Sequence, residues 1–338
     1  MLEMIKELSL INGTSGREDK VREYIINQIK DYANSIDTDP LGNLIVFKKG
    51  KSTPKNKIML DAHTDEVALI ITAINDDGTL NFECVGGIDS RVILGKPVTV
   101  GKNAISGVIG VKPVHMVSQS ERLNMPEKMY IDIGAKDKQN AEESVSLGDC
   151  AYFNSEFVEF GDGYIKGKAL DDRAGCAIMI DMIKSDLPYD MWFSFSAGEE
   201  VGFGTAGAAA YTVRPDYCIV VETTTAADLA DVPENKQVCR LGNGGVISFM
   251  DRRTVYPKDL FDKAFEIAEK NGIKAQVKSA VAGGNNAGVI HQMAGGIKTI
   301  TVSLPCRYLH SPSCVLKIED ITESAKLIRL LSGELAND

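Results

Sequence analysis

The spacing of apolar residues changes character twice along the chain. In the first stretch Val21, Tyr24, Ile25, Ile29 and Tyr32 recur at helical intervals behind Ser15 and Glu18, which stand at capping-box spacing. Asp39-Pro40-Leu41-Gly42-Asn43 reads as a turn. A strand over Leu44 to Phe47 follows, and a second, Lys57 to Ala62, runs straight into His63. From about Val67 the period shortens to two. A strand over Val67 to Ile74, a hairpin signal at Asn75-Asp76-Asp77-Gly78, and the alternation of Leu80, Phe82 and Cys84 with Asn81 and Glu83 open a series of short strands punctuated by glycine. The series runs on through Pro97 to Gly101, Ile105 to Val111, Met129 to Ile133 and Ala151 to Phe153, with no amphipathic helix of ordinary length before about Tyr164.

After Asp171-Asp172-Arg173 helices and strands alternate again. The pattern predicts a helix over Ala174 to Lys184, a buried strand over Met191 to Ala197, a helical stretch after Gly204 and a strand over Tyr217 to Val221. A helix over Lys258 to Asn271, a strand over Lys298 to Leu304 and a last helix with Ile321, Ala325, Ile328 and Leu331 on one face complete it. Strand and helix in turn imply an α/β domain with a mostly parallel twisted sheet and helices on both faces. That domain is expected to be discontinuous, residues 1–66 with 166–338, interrupted by a β-rich, barrel-like insert over 67–165.

The 338 residues suit about two domains. A formal net charge of −10 argues against nucleic acid or an anionic membrane as partner. The seven cysteines are scattered and contain no Cys-x-x-Cys pair, which predicts reduced thiols in a cytoplasmic protein. Met1 to Glu7 reads as a charged amphipathic helix start, not a secretion signal. The longest uncharged stretch, Ser279 to Ile297, holds five glycines with Asn and His, a composition that does not predict a membrane span.

Four short segments, each behind an expected strand or at a helix start, deliver residues of metal-ligating type: His63-Thr64-Asp65, Asp171-Asp172, Glu199-Glu200 and His310, with Glu222 as a fifth position. Open sheets of this class place their chemistry beyond the carboxyl ends of the strands, so these segments are expected on one rim. His63 offers an imidazole, and Asp65 a carboxylate to hold its other ring nitrogen; alone, the pair is equally at home in a solvated loop. Asp171 can bridge two cations through its two oxygens, or serve as a helix cap with Asp172 as a first-turn acid. Gly198 and Gly202 allow the turn by which both Glu199 and Glu200 could enter one site, one binding and the other moving a proton. Glu222 ends an apolar run, with Asp228 as a rival ligand nearby. A lone His310 in an irregular loop is as ordinary as a surface polar residue. His115 and His291 are read as structural, and the glycine pairs Gly244-Gly245 and Gly283-Gly284 lack phosphate-loop spacing.

Taken together the motifs resemble metallopeptidase family 42, the tetrahedral aminopeptidases, which include proteins labelled glutamyl aminopeptidase and, by an older usage, endoglucanase M. The resemblance runs through Ser15-Gly16, Asp39-Pro40-Leu41-Gly42-Asn43, Asp61-Ala62-His63-Thr64-Asp65-Glu66, Ala169-Leu170-Asp171-Asp172-Arg173, Ala197-Gly198-Glu199-Glu200-Val201-Gly202 and Arg307-Tyr308-Leu309-His310-Ser311-Pro312. It implies a dinuclear-zinc aminopeptidase fold with two divalent ions per subunit, zinc or cobalt, with manganese admissible. His63, Asp171 and Glu222 would hold one ion, and Asp171, Glu200 and His310 the other. Glu199 would be the general base and Asp65 the orienter of His63. Short peptides would be the substrates, and the insert would build a hollow homododecamer. Two departures stand out. The family often has Asp where Glu222 stands. It often reads Thr-Asp-Ala-Gly where this chain has Asn285-Asn286-Ala287-Gly288, removing a carboxylate from the expected substrate side. Two other readings compete: a glycoside hydrolase, which needs two carboxylates roughly 5–9.5 Å apart and no metal, and a non-catalytic assembly protein of the same fold.

Overall fold

The computed structural model describes residues 1–116 and 129–338; positions 117–128 of the expected insert lie outside the described residues. At the centre is an eight-stranded sheet. Its middle four strands, Met191–Ser196, Ile58–His63, Tyr217–Thr225 and Lys298–Cys306, are parallel neighbours in that order. Their long apolar runs follow from cover on both faces, which leaves no side for a polar alternation. One face packs on the helices Leu170–Lys184 and Ile318–Asn337 together with Leu2–Leu10 and Asp19–Ile29, through Leu8, Ile25, Ile178, Ile219, Val221 and Leu331. The other packs on Thr205–Val213 and Ala287–Ile290, through Met59, Val220, Ala209 and Ile290. The architecture is therefore the α/β class expected from the alternation.

The sheet departs from that expectation at its flanks. Leu44–Lys48 runs antiparallel to Met191–Ser196 and carries a hairpin partner, Ser35–Thr38. At the other side Gly245–Ile247 is antiparallel to Lys298–Cys306 and parallel to Ala275–Val277. These last two strands are three residues long, too short for any period to register in the sequence. Two central strands also run further than expected. Tyr217–Thr225 continues past Val221 through the β-branched Thr223 to Thr225, so Glu222 lies inside the strand instead of at its end. Lys298–Cys306 likewise continues past Leu304.

The insert forms a closed antiparallel barrel in the order Ala68–Ile74, Leu80–Val85, Met129–Asp132, Ile105–Val111, Pro97–Val100 and Cys150–Phe153. Closure removes the free edges that a set of short strands would otherwise expose. The barrel has its own apolar centre, including Leu69, Ile71, Leu80, Val98, Ile109, Ile131 and Phe153. Its one described α-helix, Lys138–Glu142, is a single turn capped by the Asp137 carboxylate.

The capping box expected from Ser15 and Glu18 does not form. The helix begins at Asp19 without a side-chain cap. Ser15 instead donates to Asp65 Oδ2 at 2.6 Å, and Glu18 Oε1 accepts from the amides of Gly16 and Gly198. Both residues are drawn to the sheet rim, where acceptors and donors buried beside them outweigh the gain from an exposed helix end. Buried charge ties the start of the chain to the segments that follow the strand Ile58–His63 and open the helix Leu170–Lys184. Lys168 donates to both Glu66 oxygens at 2.7 and 2.8 Å. Arg173, fully buried, donates to the carbonyls of Thr64, Leu8, Ile11 and Gly13. Arg173→Met leaves these acceptors unmet in the interior and is expected to cost on the order of 3 kcal/mol or more, read from urea unfolding midpoints at unchanged slope.

Candidate metal centre

The parallel register aligns the strand ends. Ser196 lies opposite His63 across one pair, and Glu222 opposite Ser303 across another. His63 closes its strand fully buried, with Nε2 3.2 Å from Asp171 Oδ1 and 3.5 Å from Glu222 Oε1. On the other side of the ring, Nδ1 is 3.2 Å from the Asp65 carbonyl oxygen and 3.3 Å from Asp65 Oδ1. The two readings of Asp171-Asp172 divide between the two residues. Backbone angles at both are non-helical, and their peptide bond is cis. Asp172 accepts from the Gly175 amide at 3.2 Å, as a cap does. Asp171 is left to face the rim, its Oδ2 3.2 Å from His310 Nε2.

The segment after Met191–Ser196 turns at Gly198 (φ +65°) and Gly202 (φ +70°), positions where glycine meets no Cβ penalty. Within this turn the Asp65 carboxylate receives the amides of Glu199 and Glu200, each at 3.1 Å. Asp65 thus sets both the His63 ring and the path of the next strand end. Glu200 reaches His310 Nε2 at 3.2 Å. Two trios result, His63 with Asp171 and Glu222, and Asp171 with Glu200 and His310, with one candidate ligand atom per residue all within 4.8 Å of one another. Glu199 stands beside them, and no side chain of the described residues hydrogen-bonds its carboxylate.

The other sequence candidates fall elsewhere. Asp228, the rival to Glu222, forms a two-point pair with Arg307 at 2.7 and 2.8 Å. His291 shares a contact of 2.7 Å with the Ala287 carbonyl, and His115 is exposed on the barrel. Asn286, expected toward the substrate side, points inward and donates to Asp61 Oδ2 and Ser196 Oγ, both at 2.8 Å. A buried Asp61 draws it there. The supporting roles of Ser15, Arg173 and Gly87, whose carbonyl lies 2.8 Å from His310 Nδ1, were not predicted. Their partners are backbone groups or distant residues; the only trace of Gly87 in the sequence is a glycine pair directly after a strand.

The electrostatics are those of crowded acid. Burial pushes Glu222 up to about 8, with Asp171 and Glu199 adding to it against the pull of His63. Glu199 rises to about 7, chiefly by burial. Glu200 is driven well above the carboxylate range by burial and by Asp171. Asp171 falls, as does Asp65: burial would raise each, but for Asp171 hydrogen bonds and charge from His310 and His63 prevail, and for Asp65 those of His63 with the hydrogen bond from Ser15. His310 behaves in the mirror sense; burial lowers it, while Asp171 and Glu200 carry it to about 10. His63 is likewise raised, burial being outweighed by Glu222, Asp171 and Asp65 together. Among the described residues no lysine or arginine pairs with Asp171, Glu199, Glu200 or Glu222. Acids in excess over cations, with imidazole nitrogens and carboxylate oxygens as donors, are a set that suits divalent metal ions.

Fold and site together define a peptidase of the α/β class with an inserted barrel. The chain belongs to the M42 glutamyl aminopeptidase family, which it matches over residues 42–327. It is 37% identical to a putative aminopeptidase of Acetivibrio thermocellus, over 97% of each chain. Among solved structures, an aminopeptidase of the archaeon Desulfurococcus kamchatkensis aligns with a TM-score of 0.92 at 32% identity, covering 98% of this chain and 94% of that one. The TET1 peptidase of Pyrococcus horikoshii, described as assembling into a tetrahedron or a large octahedral shell, aligns with a TM-score of 0.85 at 34% identity, covering 100% and 99%. The chain is accordingly a peptidase hydrolase of aminopeptidase type.

Replacement of the residue that sets this rim gives a direct test. Asp65→Asn puts an amide donor where the amides of Glu199 and Glu200, the Ser15 hydroxyl and the His63 ring need an acceptor. It is expected to weaken zinc uptake by about 10–100-fold, with Ser15→Ala weaker in effect, both measured by calorimetric titration of metal-stripped protein.

Proposed function

We propose that the chain is a dinuclear metal-dependent aminopeptidase that releases the N-terminal residue of short peptides, with Glu199 as the proton carrier. The observation that carries this reading is Asp171, with one oxygen 3.2 Å from each histidine Nε2 and each histidine completed by a further acid. His63, Asp171 and Glu222 would hold one ion, and Asp171, Glu200 and His310 the other. Zinc or cobalt fits this donor set best, with manganese admissible. When bound, such ions supply Lewis acidity to the scissile carbonyl and to the attacking water.

The chain's own groups supply the rest. Asp65 accepts at the Nδ1 side of His63, keeping Nε2 directed at the acids. The Glu199 carboxylate takes a proton from water as its oxygen adds to the carbonyl carbon. It then returns that proton to the amine nitrogen as the C–N bond breaks. A surplus of buried carboxylate also favours a substrate that presents its free α-ammonium, which supports exopeptidase over endopeptidase action.

The closed barrel with its separate core supports a catalytic unit, expected over 1–66 with 166–338, interrupted by an insert, expected over 67–165; the barrel strands themselves end at Phe153, and Val158–Phe160 and Tyr164–Gly167 form a small sheet with Cys314–Lys317. We assign the insert to self-association as a tetrahedral homododecamer, a reading supported by the TET1 likeness. The unpaired state of all seven cysteines supports a cytoplasmic location. The net charge of −10 disfavours nucleic acid. No helix of the described residues is long and apolar enough to cross a membrane. Glycoside hydrolysis would leave both histidines and Asp171 without a task. A non-catalytic assembly role would leave unexplained why Glu199 stands half-buried beside the trios with no side-chain partner among the described residues.

Two outcomes follow. Glu199→Gln is expected to keep both metals by elemental analysis while kcat on aminoacyl-p-nitroanilides falls by about 10²–10⁴-fold; near-normal turnover refutes its role. EDTA is expected to abolish hydrolysis, and zinc or cobalt to restore it. Persistent sugar hydrolysis in EDTA would favour the glycosidase reading instead.

A further inference from the structure

The two trios are steadied from different parts of the chain. His63 is held within the sheet domain by Asp65, itself fixed by Ser15, Glu199 and Glu200. His310 is not. It lies in the loop between Lys298–Cys306 and Cys314–Lys317 at φ +55°, with Tyr308 at φ +58° in the same loop. Side chains other than glycine adopt such angles only where their surroundings hold them.

Those surroundings come from the barrel. His310 Nδ1 is 2.8 Å from the carbonyl oxygen of Gly87, just past the barrel strand Leu80–Val85. A carbonyl only accepts, so Nδ1 donates to Gly87 and Nε2 is the ring nitrogen turned to Asp171 and Glu200, the one whose lone pair a cation would take. The preceding Gly86 has φ +89°, and a Cβ there would lie 2.7 Å from Val67 Cγ1 and 3.3 Å from Glu200 Cβ. This glycine lets the barrel backbone close on the second acid of the same trio. A third tie is Ser155, just past the strand Cys150–Phe153, whose Oγ donates to the Pro312 carbonyl at 2.6 Å. Among the described residues no hydrogen bond runs from the barrel to the side chains of His63, Asp171 or Glu222.

We propose that Gly86-Gly87 and Ser155 are positioning residues for one half of the metal centre. They fix the His310 tautomer and its approach to Glu200, so that occupancy of this half, and not of the other, depends on how the barrel is seated. The inference rests on the two-metal reading.

The test is zinc binding by the full-length protein, stripped with chelator and titrated calorimetrically, with elemental analysis after dialysis. Wild type is expected to take two ions. Gly86→Ala, whose Cβ would press on the side chains of Val67 and Glu200 at a φ that L residues rarely adopt, is expected to hold one ion at wild-type affinity and the other about 10–100-fold more weakly. Ser155→Ala is expected to weaken the same single ion by less. Wild-type constants for both ions in Gly86→Ala and Ser155→Ala overturn the proposal, as does equal weakening of the two. Should Gly86→Ala fail to fold, Ser155→Ala decides: selective weakening supports the proposal and unchanged constants overturn it. A wild-type protein that binds fewer than two zinc ions overturns the two-metal reading itself, and this inference with it.

Discussion

The arrangement depends on one carboxylate. Asp171 places its two oxygens 3.2 Å from two different imidazoles, and every other acid of the rim is defined by which side of Asp171 it takes. Two unit charges 4 Å apart at an effective dielectric of about 20 interact by roughly 4 kcal/mol. Gathering several carboxylates around one residue is therefore a constraint that the rest of the fold has to meet. It does so by bringing them from rigid places. His63 and Glu222 lie on neighbouring parallel strands, Asp171 at the irregular start of a buried helix, and Glu200 in a turn whose amides are tied to Asp65.

Asp65 is the complement of Asp171. It touches no candidate ligand oxygen, yet its four contacts join the amino-terminal segment, the His63 ring and the Glu199-Glu200 turn. Register alone would leave these segments near one another but free to shift by more than chemistry tolerates. A buried acceptor shared by three chain segments removes that freedom, because any one of them moving leaves a donor unsatisfied.

What could be read from the sequence follows from range. The α/β alternation, the barrel-like insert and the rim segments show in local periodicity and residue type, since an apolar strand followed by His or Glu-Glu is a short-range signal. Glu222 was recognisable even though its strand ran on through three threonines. Asn286, Ser15 and the three-residue strands were not recognisable for their roles. Asn286 is turned inward by Asp61, 225 positions away in the chain, and Ser15 is diverted from a helix cap by Asp65, 50 positions away. In both cases a tertiary partner overrode a local preference, and no window of sequence contains both members.

The charge balance supports a cation of external origin at the rim. The nearest buried protein cations are committed elsewhere. Lys168 is bound to both oxygens of Glu66, and Arg173 spends its guanidinium on four backbone carbonyls. Neither can swing toward Asp171 without abandoning buried acceptors, a loss of about 1–3 kcal/mol for each group left unmet. Burial and mutual repulsion raise the proton affinities of Glu199, Glu200 and Glu222, and the acids around them raise those of both imidazoles. Divalent cations would displace protons from them and turn the same residues into donors. The protein has thus fixed its own positive charges on Glu66 and on the carbonyls of Leu8, Ile11, Gly13 and Thr64, leaving the rim acids with no lysine or arginine partner among the described residues.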